Sequence, residues 1–270
     1  MNLLSSDLDT RFLVLNHGSV EIADRWRQRQ VRSSFWRIYV HDRDGAEAVV
    51  GGTRYPLGPD RVHLLPAWMR FDHRTARPVR QFHASFDLVR WTARLTNRLA
   101  PLPIGLTFDA GMRSAWAAVR RGYAQGNGAS AATAVRINAL ICAALAAWID
   151  TLDDDATLGI AAGRGEVEPA LVYIENHLHE PLSNAMLAEL CHYSTDHFAK
   201  VFRGVVGQTP ARYVVERRVA QAAQALAFSD RSIDAIAESL GFGNRFYFSR
   251  QFKRHLGTPP AAYRASVRFN

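Results

Sequence analysis

The chain has 270 residues, 33 of them Lys or Arg and 25 Asp or Glu, giving a formal net charge of +8. With 48% apolar and 21% charged residues, wholesale disorder and fibrous repeats are excluded, and the length fits one large or two ordinary domains. Two distant cysteines, Cys142 and Cys191, argue against a disulfide framework or a structural zinc finger, and the longest uncharged apolar stretch, Ala139 to Ile149, is too short to cross a bilayer.

In chain order, Asp7 and Asp9 interrupt any positive-then-apolar signal pattern, so a soluble cytoplasmic protein with no membrane partner is the expectation. The first 110 residues read as β-rich. Strands are predicted at Phe35 to Val40, Ala46 to Val50, Thr53 to Leu57, Arg61 to Leu65 and Gln81 to Leu88. Asp-Gly, Gly-Gly and Gly-Pro-Asp turns separate the earlier ones. Short strands at such spacing imply a sandwich or small barrel. Two alanine-rich helices follow, at Asp109 to Tyr123 and Ala129 to Ile149. In the second, Ala134, Ile137, Leu140, Ile141, Leu145 and Trp148 form an apolar stripe, which serves either core packing or dimerisation. The segment 153–166, acidic and then rich in Gly and Ala, is the best linker between a domain at 1–152 and another at 167–270.

From Glu166 onward the pattern is helical, and it contains an internal repeat. Ser183 to Tyr213 matches Ser232 to Tyr263 with an offset of 49 residues before a turn and 50 after it. Leu187-Ala188 pairs with Ile236-Ala237, Tyr193 with Phe242, Phe198 with Phe248 and Phe202 with Phe252. Gly207 pairs with Gly257, Pro210 with Pro260, and Tyr213 with Tyr263. These are core-type positions, as expected when one supersecondary unit is used twice. Each copy has the layout of a helix-turn-helix, with a small residue where helices cross and a turn that favours positive φ. That turn position holds Gly241 in the second copy and His192 in the first. Ser194 and Asn244 suit the N-caps of the following helices.

Residues Pro169 to Arg264 resemble the DNA-binding domain of the AraC/XylS family of bacterial transcription regulators. The resemblance rests on Ser232-Ile233, Ile236-Ala237, Gly241-Phe242, Phe248-Ser249-Arg250-Gln251-Phe252-Lys253, Gly257, Pro260 and Tyr263. It implies helix-turn-helix units at about 184–205 and 233–255, joined by a long helix at about 210–227. The long helix would span roughly 27 Å, suited to adjacent major grooves. The implied recognition helices are Thr195 to Arg203 and Arg245 to His255. Their solvent faces carry Thr195, Asp196, Ala199 and Lys200 in the first, and Arg245, Phe246, Ser249 and Arg250 in the second. Arginine can fork to guanine, and Phe246 can touch a thymine methyl. Arg203, Lys253, Arg254 and Arg264 are assigned to phosphates.

The β-rich front half is similar to the cupin-like barrel that many members of the family use to sense a small molecule. The fold class expected is therefore α+β: a cupin-like barrel with helices, then an all-α tandem helix-turn-helix domain. Trp36, His63, Trp68 and His83 are the candidate effector pocket. His63, His73 and His83 are ten residues apart and lack the close His-x-His of a metal cupin, so no metal or cofactor is expected. With no phosphate loop, nucleophile elbow or HExxH, the chain is not expected to be an enzyme.

The implied function is a sequence-specific regulator, an activator under small-molecule control. Its partners would be duplex DNA, an effector, a second copy of the chain and, for an activator, RNA polymerase. Two alternatives stand beside it: a ligand-free regulator whose front half serves assembly, and a cupin-type enzyme fused to a DNA-binding domain. The charge does not decide among them, because residues 166–270 hold 12 basic and 10 acidic residues, a net of only +2. The useful excess is local: Gly241 to Asn270 holds six basic residues and no acidic one.

Overall fold

The computed structural model describes residues 12–23, 28–89, 91–153 and 164–267. The chain divides into two compact units, one formed by Phe12–Asp87 with Thr96–Asp153 and the other by Leu88–Leu95 with the region from Asp154 onward.

Among the described residues the first unit holds nine strands: β1 (Phe12–Ile22), β2 (Gln28–Val31), β3 (Trp36–His41), β4 (Ala46–Val50), β5 (Thr53–Pro56), β6 (Arg61–Leu65), β7 (Phe71–Thr75), β8 (Val79–Leu88) and β9 (Ile104–Thr107). They form a five-stranded sheet in the order β1-β8-β3-β6-β9 and a four-stranded sheet in the order β2-β7-β4-β5. β3 is antiparallel to both neighbours, and Tyr39 lies opposite His63 on one side and His83 on the other. All six β3 residues are buried, because both faces of the strand are covered. Tyr39 joins Ala46, Ala48, Leu65, Phe71 and Val79 in the core between the sheets. Trp36, Ile38 and Val40 alternate onto the opposite face.

That opposite face is covered by α2 (Ala110–Ala124) and α3 (Ala131–Ile149). Trp36 lies 5.2 Å from the Trp148 ring, and Phe82 lies 5.2 Å from the Trp116 ring. Asp109 and Ser130 cap the two helices by accepting hydrogen bonds from Met112 and Thr133 backbone N–H groups. The pair crosses tightly at Gly122, where a Cβ would come within 2.4 Å of Thr133 Oγ1. The 11-residue apolar stretch noted in the sequence underestimates α3. All 19 residues are helical, and by length and composition alone the helix could cross a membrane. Its Ile137, Leu140, Ile141, Ala144, Leu145 and Trp148 are buried within this unit, which is the role of a core helix.

Among its described residues the second unit is helical: α4 (Arg164–Asn176), α5 (Asn184–Leu190), α6 (Thr195–Val206), α7 (Pro210–Phe228), α8 (Ile233–Ser239), α9 (Arg245–Leu256) and α10 (Pro260–Val267). The first turn of α1 (Ala93–Leu99) also belongs to it, through Leu88–Leu95. The two copies repeat in three dimensions. Phe198 and Phe202 centroids are 5.4 Å apart and Phe248 and Phe252 are 5.6 Å apart. Tyr213 meets Phe202 at 5.7 Å, and Tyr263 meets Phe252 at 5.2 Å. All six rings are buried. Overall the chain is α+β, with a β-rich unit and an all-α unit.

Candidate nucleic-acid interface

Each helix-turn-helix is set by caps and one strained turn. Ser183 and Ser232 cap α5 and α8, and Ser194 and Asn244 cap α6 and α9 through their side chains. At the tight turn, the Tyr193 N–H reaches back to the Ala188 carbonyl, and the Phe242 N–H to the Ala237 carbonyl. The residue before each aromatic must adopt positive φ: His192 at 57° and Gly241 at 68°. Both α6 and α9 end on a left-handed glycine, Gly207 and Gly257.

α7 carries both units. Ala220, Ala222 and Ala223 are fully buried on it, and such small side chains let helices from both copies approach closely. Its 19 residues extend over about 28 Å. Four polar residues of α7 lock the frame. Arg217 makes a bidentate pair with Glu175 on α4, at 2.7 and 3.0 Å, and the Tyr213 hydroxyl donates to the same carboxylate at 3.0 Å. Burial and the adjacent Glu175 charge push the Tyr213 hydroxyl well above its ordinary range. Arg218 donates to the carbonyls of Leu178, Glu180 and Gly241, tying the turn of the second copy to the loop before the first. Glu216, 5% exposed, accepts from the Ala93 N–H at the start of α1, and burial raises its carboxyl above the usual range. Of these, the sequence pointed only to Tyr213, and it indicated no partner for it.

Opposite the buried Phe edges lie the residues expected to read DNA. Thr195, Asp196 and Lys200 on α6 are exposed, as are Arg245, Phe246 and Arg250 on α9; Ala199 and Ser249 are half-buried on the shoulders. Phe246 is 87% exposed, the most exposed large apolar side chain among the described residues. Arg245 is held at 3.2 Å from Asp234 of α8, with both side chains about 60% exposed. Arg250 stacks over the Tyr247 ring at 5.6 Å. His197, exposed beside Tyr193, shares the α6 face but carries no spacing signal that would have marked it.

Arg203, Lys253 and Arg254 are exposed in the last turns of α6 and α9. Arg264 is half-buried and donates to the Arg231 carbonyl, so its guanidinium is engaged in joining α10 to the start of the second copy.

The four residues expected to line an effector pocket do not share one wall. His63 and His83 flank Tyr39 on the inner face of the sheet, whereas Trp36 lies on the outer face against Phe86 and Trp148. Trp68 sits in the turn after β6 at φ 66°, its N–H donating to the Ser33 carbonyl and its carbonyl accepting from the Arg32 side-chain Nε. The inner face instead gathers His41, His63, His73 and His83. Burial lowers His63 and takes His41 and His83 to about 4 and His73 to about 3. Among the described residues no group of three or more potential ligands is placed to hold a metal ion.

Two helix-turn-helix units carried on one rigid helix define a tandem helix-turn-helix protein. A family model described as a helix-turn-helix domain matches residues 187–266. The MmsAB operon regulatory protein of Pseudomonas aeruginosa is 34% identical over 96 residues, which cover 36% of this chain and 31% of that protein. The right origin-binding protein of Escherichia coli is 34% identical over 102 residues, covering 38% and 35%. The matched stretch thus spans about a third of these curated relatives. Over nearly the full length, the fold resembles that of ToxT from Vibrio cholerae, with a TM-score of 0.56 at 10% identity, covering 95% of this chain and 98% of that one. Residues 187–266 are therefore a helix-turn-helix domain similar to those of these DNA-binding regulators.

Proposed function

We propose that the protein is a sequence-specific DNA-binding transcription regulator that places α6 and α9 in adjacent major grooves. The observation that carries this reading is the exposed pair of α9 readers, Arg245 and Arg250 around the bare Phe246, on a helix whose opposite edge is locked by Phe248 and Phe252. Thr195, Asp196, Ala199 and Lys200 of α6, with Ser249 of α9, complete the base-facing set. Arg203, Lys253 and Arg254 neutralise phosphates. Arg264, with Nη2 held by the Arg231 carbonyl, has its remaining N–H groups to offer a phosphate.

The β-rich unit, in this reading, senses a small molecule and mediates homodimerisation, and the regulator acts in the cytoplasm as an activator that contacts RNA polymerase. The full-length likeness to ToxT supports the domain plan. Site selection from random DNA with the full chain tests the proposal. A consensus with two clusters about one helical turn apart is expected; recovery of unrelated sequences bound equally well would refute it.

A further inference from the structure

The α2 side of the outer sheet face is not completely filled. A cleft of about 660 Å3 remains between α2, β3, β8 and the turn at Pro59-Asp60, within the roughly 300–1,000 Å3 typical of small-molecule sites. It lies wholly inside the β-rich unit, and of the inner-face histidines only His41 lines it.

The cleft has two chemically distinct parts. Its floor is aromatic: Phe82 lies 5.2 Å from Trp116 and 5.8 Å from Tyr123, and Val40 and Phe108 extend the apolar surface. The Tyr123 hydroxyl is fixed by His17 Nδ1 at 2.7 Å, which holds that ring in place. Its rim is cationic. Arg113 and Arg120 project from the same α2 face as Trp116 and Ala117, by the three- and four-residue spacing of a helix, and Arg80 faces them from β8. All three arginines are exposed. Among the described residues, none of their guanidinium groups has an ion-pair partner.

The carboxylates nearby do not cancel that charge. Asp42 pairs with Arg43 at 2.9 Å and accepts the Arg80 backbone N–H at 2.8 Å. Of the two carboxylates that line the cleft, Asp60 is then the one left to face three guanidinium groups. An apolar slot with cations along one lip fits a molecule with an anionic head and a flat or short apolar body. Guanidinium forks match the two oxygens of a carboxylate.

We infer that this cleft binds a small organic carboxylate, its head on Arg113 and Arg120 and its body on Phe82 and Trp116. The inference deepens the sensing role proposed for this unit and rests on it only for the effect on DNA, not for binding itself.

Calorimetry on the full-length chain, without DNA, tests it with benzoate, 2-naphthoate, indole-3-acetate and octanoate as probes. At least one probe should bind saturably at one site with a submillimolar Kd, and its amide should bind at least tenfold more weakly. Joint Arg113→Gln and Arg120→Gln substitution should weaken binding at least tenfold, while Arg136→Gln, exposed on α3, should leave it unchanged. If the double variant melts early, the single variants and the carboxylate-amide comparison carry the test. No binding by any of the four below about 5 mM, or binding indifferent to both arginines, overturns the proposal. Titrating DNA with and without the bound probe separates the readings. A probe that binds through the arginines yet leaves DNA affinity unchanged supports the cleft and removes only effector control. Loss of sequence preference with probe binding intact would refute the proposed function and leave the cleft standing.

Discussion

The guanidinium of Arg218, in the middle of the long helix, donates a 3.0 Å hydrogen bond to the carbonyl of Gly241, and one of its nitrogens would lie 2.9 Å from any Cβ placed there. A Cβ would also meet the His179 carbonyl at 2.8 Å, and the φ of 68° already disfavours side chains. Gly241→Ala should therefore cost about 2–4 kcal/mol, from the left-handed backbone and the two close contacts together. Urea unfolding at neutral pH measures it, and a loss under about 0.5 kcal/mol would mean the turn relaxes freely.

His192 occupies the same turn in the first copy, at φ 57°, but its side chain is exposed. It has strain without buried packing to offset it. His192→Gly should stabilise the helical unit by up to about 1 kcal/mol, since a non-glycine residue in this region carries roughly 1–2 kcal/mol of strain and glycine returns part of it as chain entropy. The same unfolding measurement checks the sign.

At the α9 face, Arg245→Ala and Arg250→Ala should each weaken a selected site by about 1–3 kcal/mol and relax base preference at one position. Asp234→Asn should act in the opposite direction, because Asp234 holds Arg245 at 3.2 Å and repels phosphate. Its effect on stability should stay within about 1 kcal/mol, as both partners are largely exposed. Gel-shift titrations on specific and scrambled duplexes separate base from backbone contributions.

The buried histidines predict acid sensitivity in the β-rich unit. His41 and His83 titrate at about 4 and His73 at about 3 in the fold, because burial disfavours their charged forms, against 6.5 when unfolded. Between those limits the unfolded chain binds more protons, so stability is complete above about pH 6.5 and is lost as pH falls toward 4. Each histidine contributes up to about 1.4 kcal/mol per pH unit in that window. His73→Gln should flatten the dependence of the urea midpoint between pH 6.5 and 4.5; an unchanged slope would show that His73 is solvated.

Much of the helical unit was legible because its aromatic residues recur with the helical period and its caps are spelled out in Ser183, Ser194, Ser232 and Asn244. Sequence analysis predicts no strand at β1, β2, β7 or β9. β1 carries Asn16-His17-Gly18 in mid-strand, two of the five β7 residues are charged, and β9 has only four residues, one of them glycine. Neighbouring strands, not local preference, hold such segments extended. Spacing placed Arg245, Phe246 and Arg250 on the exposed face of α9, but the Glu175–Arg217 pair joins residues 42 apart, and no local pattern announces it. The arginine-rimmed cleft was hidden for the same reason, since β8 and α2 meet only in the fold.

The most direct test of the account is base-by-base interference footprinting of a selected site with wild-type protein, Lys200→Ala and Arg245→Ala. Two clusters of protected bases one turn apart, with Lys200→Ala weakening only one and Arg245→Ala only the other, are predicted. A single cluster, or equal weakening of both by each substitution, would contradict the placement of α6 and α9 in adjacent grooves.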